Sequence, residues 1–172
     1  DQRRQQRRAE RLVEQSDDVI TIVDTEGTIT YASGSSTRIL EFEPDALTET
    51  NLFDYLHPDS REDVMEAFFA ATETYDATSQ LSCSLRSGDG EWLNIELQYR
   101  NMLDDDAIGG MLVYLRDVTE RKQRARRFEG IFNQTFQFTG LLDPDGTLIE
   151  VNDAALAFGG LERDAIVGKQ FP

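Results

Sequence analysis

"LRDVTERKQRARRFEGIF", residues 115–132, changes character in its middle. The apolar run Met111 to Leu115 leads into it, Asp117 and Thr119 follow, and five of the seven residues from Arg121 to Arg127 are basic. Met111, Val113 and Leu115 alternate onto one face, which reads as a strand. Thr119 suits a helix N-cap and Glu120 the positive end of the helix dipole, so the spacing predicts a helix from about Thr119 to Asn133. A strand therefore ends on a polar joint and the chain sets off again as a helix.

Outward from this joint the periods change in order. "EWLNIELQYR" places Leu93, Ile95, Leu97 and Tyr99 on one side, and "SQLSCSLR" does the same with Leu81, Cys83 and Leu85 across the turn at Asp89-Gly90. "HPDSREDVMEAFFAATE" is the clearest helix: His57 or its neighbour at the N-cap, Pro58 in the first turn, and Val64, Phe68 and Ala71 on one face beside Met65 and Phe69. Before it come short helical pieces, "SSTRIL" and one begun by Pro44, and before those the strands "DVITIVD" and "TITYA" joined by a turn that needs Gly27. Ile20 and Ile22 share one face of the first strand. Two strands, short helices, a longer helix and three antiparallel strands form an α+β pattern with helices covering one sheet face.

The chain also repeats itself. "DTEGTIT" at Asp24 aligns with "DPDGTLI" at Asp143, and the same offset runs ungapped from "AERLVEQS" against "FEGIFNQT" to "DALTETNLF" against "DAIVGKQFP". One unit is followed by the first part of a second copy, whose hairpin, Phe138 to Val151, is expected to expose an edge that frays or borrows a strand from another chain.

Charge adds a second layer. Of 172 residues, 33 are acidic and 17 basic, with lysine only at positions 122 and 169, a balance that reads as a halophile's cytoplasmic protein, an ordinary acidic domain being the alternative. Residues 13–120 hold 24 acids against five bases, a net of −19, whereas Arg3 to Arg11 and Arg121 to Arg127 carry ten of the bases. Such a body repels phosphate, which argues against nucleic acid. No window resembles a membrane span or a signal peptide. The single cysteine, Cys83, fits a reducing compartment. The ends at Asp1 and Pro172 suggest a piece of a longer protein.

The order of elements, with "DxxGxIxY", "FEPDAL", "LHPDSRED", "SGDGEW" and above all "RDVTERK", resembles the PAS family of sensory domains over residues 17–122, and in a truncated copy over 136–172. Asn152 and Gly160 match that family's usual asparagine and glycine, where the first copy has Ser33 and Glu41. The resemblance implies a five-stranded antiparallel sheet with short helices and one longer helix on one face, flanked by an N-terminal helix (1–16) and a linker helix (121–135), with domains at 17–120 and 136–172. It further implies a sensory module of a histidine kinase or taxis-transducer type that relays a ligand or partner signal through Asp117, Thr119, Glu120 and Arg121 to a downstream domain. A homodimer through the flanking helices is expected, with no enzyme activity of the fragment itself.

Ile22, Tyr31, Phe53, Phe68, Phe69, Leu81, Cys83, Leu97, Tyr99, Val113 and Leu115 are the candidate lining of a cavity between helices and sheet, with the Tyr31 and Tyr99 hydroxyls available to a polar small molecule. The simpler reading is a collapsed core without one. No cofactor is evident. A flavin or haem light or redox sensor is the alternative, but His57 stands where a helix cap belongs, and Cys83, alternating with Leu81 and Leu85, reads as a small core residue. Asp104 to Asp106 lack calcium-loop spacing and read as a solvated loop. Trp92, out of phase with Leu93 and Ile95, either covers the outer sheet face where a helix or second subunit docks or is a singly exposed aromatic. Asn133-Gln134-Thr135 matches a glycosylation sequon, set aside for want of a secretion signal.

Overall fold

The computed structural model describes residues 2–134 and 137–170. Thr135 of the sequon, the expected boundary between linker and second copy at 135/136, and the end of the repeat at 171–172 lie outside the described residues. The chain divides into two compact units, Asp1–Glu120 and Arg121–Pro172.

The first unit begins with helix α1 (Gln2–Glu14), none of whose side chains is buried. Strands β1 (Asp18–Val23) and β2 (Ile29–Ala32) form the expected hairpin. Gly27 takes φ +92° in its turn, and a Cβ there would collide with the Phe53 ring. Short helices α2 (Ser35–Ile39) and α3 (Pro44–Leu47) and a 3₁₀ turn at Leu52–Tyr55 follow, then helix α4 (Pro58–Thr72). Strands β3 (Thr78–Arg86), β4 (Trp92–Met102) and β5 (Gly110–Asp117) complete one antiparallel sheet of order β2-β1-β5-β4-β3. Chain ends of the sheet are thus central: β1 and β5 lie side by side, with Val19 opposite Leu115 and Val23 opposite Met111.

One sheet face is packed under α2, α3, the 3₁₀ turn and α4. Val19, Thr21 and Val23 of β1 meet Met111, Val113 and Leu115 of β5, then Ile95, Leu97 and Tyr99 of β4, against Leu40, Leu52, Phe53, Leu56, Val64 and Phe68 from above. The sequence expectation for β1 is corrected here. Ile20 and Ile22 do share a face, but it is the outer one, because "DVITIV" is apolar enough on both phases for alternation alone to leave the side undecided. Thr21 goes inward instead, fully buried, its hydroxyl donating to Val113 O at 3.2 Å.

The second unit contains most of α5 (Thr119–Gln134), strands β6 (Gly140–Leu142) and β7 (Leu148–Val151), and short helices α6 (Asp153–Gly159) and α7 (Arg163–Ile166). Its two strands form a separate two-stranded sheet. Phe138 and Leu142, whose counterparts Val19 and Val23 are fully buried in the first unit, are 60% and 54% exposed. The covering elements of the first unit, α4 and β3 to β5, have no equivalents among the described residues of the second. No helix among the described residues is long and apolar enough to cross a membrane.

Candidate functional site

Two places in the first unit carried the functional expectations: the space between sheet and helices, and the joint after β5. The space is filled. An interior void bounded by Thr21, Ile29, Leu40, Leu52, Leu85 and Leu115 has a volume of about 10 Å3, room for about one water. Phe53, Phe68, Cys83, Leu97, Tyr99, Val113 and Leu115 are buried around this interior, and Leu81, opposite Leu97, is half-buried.

Three of the expected lining residues point elsewhere. Ile22 lies on the outer sheet face, and Tyr31, its cross-strand partner, goes with it and is 44% exposed. Phe69 sits one residue past the inward Phe68, so the helical turn carries it to the rim, where it still touches Phe53 and Phe68 by ring centroids at 5.6 and 5.7 Å. The Tyr99 hydroxyl, expected to serve a ligand, donates to Ala67 O of α4 at 3.1 Å. That bond holds the helix to the sheet.

The joint is built from both neighbouring strands. Asp117 Oδ1 accepts from the Thr119 backbone N–H at 2.9 Å and from its hydroxyl at 2.6 Å. The Thr119 oxygen in turn accepts from the Asn94 backbone N–H at 2.8 Å, and Val118 N–H donates to Asn94 O at 2.8 Å. Between them Val118 is buried. Thr119 is thus not the N-cap expected from sequence but the first residue of α5, its N–H taken up by Asp117 and its oxygen bonded near the start of β4, while Glu120 and Arg121 are exposed in the next positions. At the same end of the sheet Arg116 forms a two-pronged pair with Asp18 (2.7 and 3.1 Å), tying the end of β5 to the start of β1. Arg38 of α2 donates to Ser16 O at 2.7 Å. Val118 and Asn94 were missed in sequence; Val118, an aliphatic residue between two polar ones, was the available signal.

A second junction shows how the two copies solve one problem differently. In the second unit Asn152, fully buried, accepts from Thr139 N–H (3.1 Å) and donates to Gln137 O (2.8 Å) and Phe132 O (3.0 Å). In the first unit two serines divide this work: Ser33 Oγ accepts from Ile20 N–H at 2.9 Å, Ser35 Oγ donates to Asp18 O at 2.9 Å, and the hydroxyls bond each other at 2.7 Å. Only the asparagine reaches back to the preceding helix.

Glu41 replaces glycine with consequences. It takes φ +58° where Gly160 takes +60°, a left-handed conformation that glycine adopts without strain. A side-chain hydrogen bond with the neighbouring Asp89 carboxyl holds Glu41 above the usual glutamate value of 4.5. The Ser87 hydroxyl, with the Glu91 N–H, holds Asp89 below its usual 3.8. A raised carboxyl binds its proton more tightly in the folded state, so its contribution to stability is present at low pH and is lost as pH rises through the raised value. Asp89 acts in the opposite sense, losing its bonds as pH falls through its depressed value. Stability should thus pass a maximum between the two, and Glu41→Gln, whose amide donates to Asp89 at any pH, should remove the decline on the alkaline side in a series of thermal melts. An unchanged pH profile would reject this role of Asp89.

His57 occupies the N-cap of α4, its Nδ1 accepting from Asp59 N–H at 3.2 Å, and Trp92 packs edge-on against its ring at 4.7 Å. Trp92, 46% exposed, thus has a partner within its own unit that neither sequence alternative foresaw. Asp105 of the acidic loop accepts from Ala107 and Ile108 N–H, closing its own turn.

Residues 13–123 match the family described as the PAS fold, and residues 137–172 a family described as the PAS domain. The chain belongs to the PAS family. Among solved structures, the PAS domain of an HTR-like protein from Haloarcula marismortui is similar at 21% identity and a TM-score of 0.57, covering 67% of this chain and 98% of its own. A PAS domain from Colwellia psychrerythraea gives 17% identity and 0.58, with coverages of 67% and 98%. A domain of a sensory box sensor histidine kinase/response regulator from Geobacter sulfurreducens gives 20% and 0.52, with coverages of 66% and 94%. These likenesses bear on the fold: a five-stranded antiparallel PAS sheet with helices on one face. No curated protein matches the sequence. In this PAS domain the joint at Asp117–Thr119 and the filled interior are the features on which a functional reading rests.

Proposed function

We propose that this PAS domain is a non-enzymatic regulatory module of a larger signal-transduction protein, of histidine-kinase or taxis-transducer type, and that it passes strain from the sheet into α5. The supporting observation is the Thr119 hydroxyl, which is bonded at once to Asp117 and to the β4 backbone. A displacement of β4 or β5 is transmitted to the first turn of the helix because that turn has no slack: its first residue is part of the sheet's hydrogen bonding. The stimulus in this reading is a partner contact or a small molecule, and the small molecule must first open the interior, whose void is about 10 Å3.

Thr119→Ala tests the reading. It removes the hydroxyl bridge while leaving strand pairing intact. Hydrogen exchange should accelerate by roughly tenfold at the Asn94 amide, which loses its acceptor, and in residues 119–124, the equivalent of losing about 1–1.5 kcal/mol, with the rest of β4 and β5 unchanged. Equal exchange in both proteins would remove the basis for the relay. An absorption spectrum and mass spectrometry of a denatured extract address the stimulus: a visible band or a stoichiometric small molecule would replace the partner-contact reading with a cofactor-carrying sensor.

A further inference from the structure

Helix α1 is improbable as a free-standing element. It has 13 residues, near the length at which isolated helices are marginal, and none of its side chains is buried. Arg4 and Arg8 stand one turn apart and repel, and Arg3 and Arg4 sit at the positive end of the dipole with no acid in the first turn. No ion pair among the described residues involves an arginine of this helix. Its Arg4, Arg8 and Arg11, spaced i, i+4, i+7, form one stripe with Leu12 at its edge, and Leu12 is 66% exposed.

Helix α4 has the complementary defect. Val64, Phe68 and Ala71 face the core, and the opposite side presents Asp59, Glu62 and Glu66, all exposed, beside a shallow groove floored by Met65 and Phe69. Glu62 and Glu66 repel across one turn. The one base of the helix, Arg61, lines the same groove with its guanidinium donating to Leu56 O at 3.1 Å. Phe69 remains 39% exposed in the groove.

We infer that α1 of one copy docks antiparallel on the outward face of α4 in a second copy, with Arg11, Arg8 and Arg4 opposite Asp59, Glu62 and Glu66. In this direction the spacings agree: descending α1 the intervals are three and four residues, and ascending α4 they are again three and four; Asp59, Asp63 and Glu66 would match the parallel direction, but Asp63 does not border the groove as Glu62 and Glu66 do. Antiparallel packing also sets the two helix dipoles in opposition, which favours the pair. Arginine is suited to such a seam through its forked donors, and the apolar groove gives the desolvated strip that charge pairing alone lacks. In a symmetric pair the contact occurs twice, each copy giving one α1 and receiving one. The inference deepens the homodimer expected from sequence by naming both faces and stands independently of the relay through Thr119.

Sedimentation equilibrium of the full chain at low ionic strength tests it. The wild type should be a dimer that weakens as salt approaches ~1 M. Arg4→Glu with Arg8→Glu, and separately Glu62→Arg with Glu66→Arg, should each weaken self-association by at least about tenfold. Mixing the two variants should restore a one-to-one dimer, because both contacts are then complementary again. If reversal unfolds α4 by circular dichroism, Glu62→Gln with Glu66→Gln supplies the same reading. A wild type that is monomeric throughout, an α4 variant that dimerises as the wild type does, or a mixture that fails to associate would each overturn the inference.

Discussion

Replacing Phe68 by alanine is expected to destabilise the first unit by about 3–5 kcal/mol. The ring is 2% exposed and lies edge-on to Phe53 at 5.3 Å, so its loss removes buried apolar contact from both the α4 side and the 3₁₀ turn. The neighbours that would have to fill the gap are fixed by the Tyr99 hydroxyl bond to α4 and by the backbone bridge between Leu56 and Leu85. The void that remains should be of a size that admits a small aromatic molecule. Chemical denaturation with and without saturating benzene gives two readings, the loss itself and its partial recovery on ligand binding. A loss below about 1 kcal/mol would mean that the helices close over the gap. Recovery by benzene would identify one aromatic side chain as what separates a filled PAS interior from a ligand-holding one.

Asn101→Ala should cost about 2–3 kcal/mol, because three backbone carbonyls lose their donor together. The Asn101 amide donates to Ala71 O (2.9 Å), Thr72 O (3.2 Å) and Thr74 O (2.9 Å), the unsatisfied end of α4, while its oxygen accepts from Leu103 N–H at 3.0 Å. Asn101→Asp should be worse at neutral pH, since a carboxylate would face those carbonyls with no hydrogen to give. Hydrogen exchange should localise the damage to residues 72–77 and the last turn of α4. Protection unchanged there in Asn101→Asp would show that water replaces the side chain. Thr119→Ala is smaller in energy than either substitution because its site is partly exposed.

Much of this was legible in the amino-acid order alone. Period-two alternation located β3, β4 and β5, the proline and histidine at 57–58 located the start of α4, and the change from apolar to basic after Leu115 located both the end of the sheet and the start of α5. These are local matters: pleat, cap and turn chemistry act over a few residues and leave their mark there. The repeat placed the second hairpin and matched Asn152 and Gly160 to Ser33 and Glu41. It did not reveal that Ser33 and Ser35 together reproduce most of what Asn152 does, because that equivalence depends on backbone groups of another strand.

Tertiary structure decided the rest, for one physical reason: a strand or helix carries its pattern but not its neighbours. Alternation in "DVITIV" paired Ile20 with Ile22 and Val19 with Val23, yet only the β5 register and the helices above chose Val19, Thr21 and Val23 for the interior. The same step moved Ile22 and Tyr31 to the outer face and gave the Tyr99 hydroxyl to Ala67. Asn101 was in phase with Ile95, Leu97 and Tyr99 and could have been assigned inward, but its partners at the end of α4 lie 27 to 30 residues away in sequence. Whether the space between sheet and helices is open or filled depends on how Phe53 and Phe68 interlock from two separate segments, and no property of either segment by itself contains that answer.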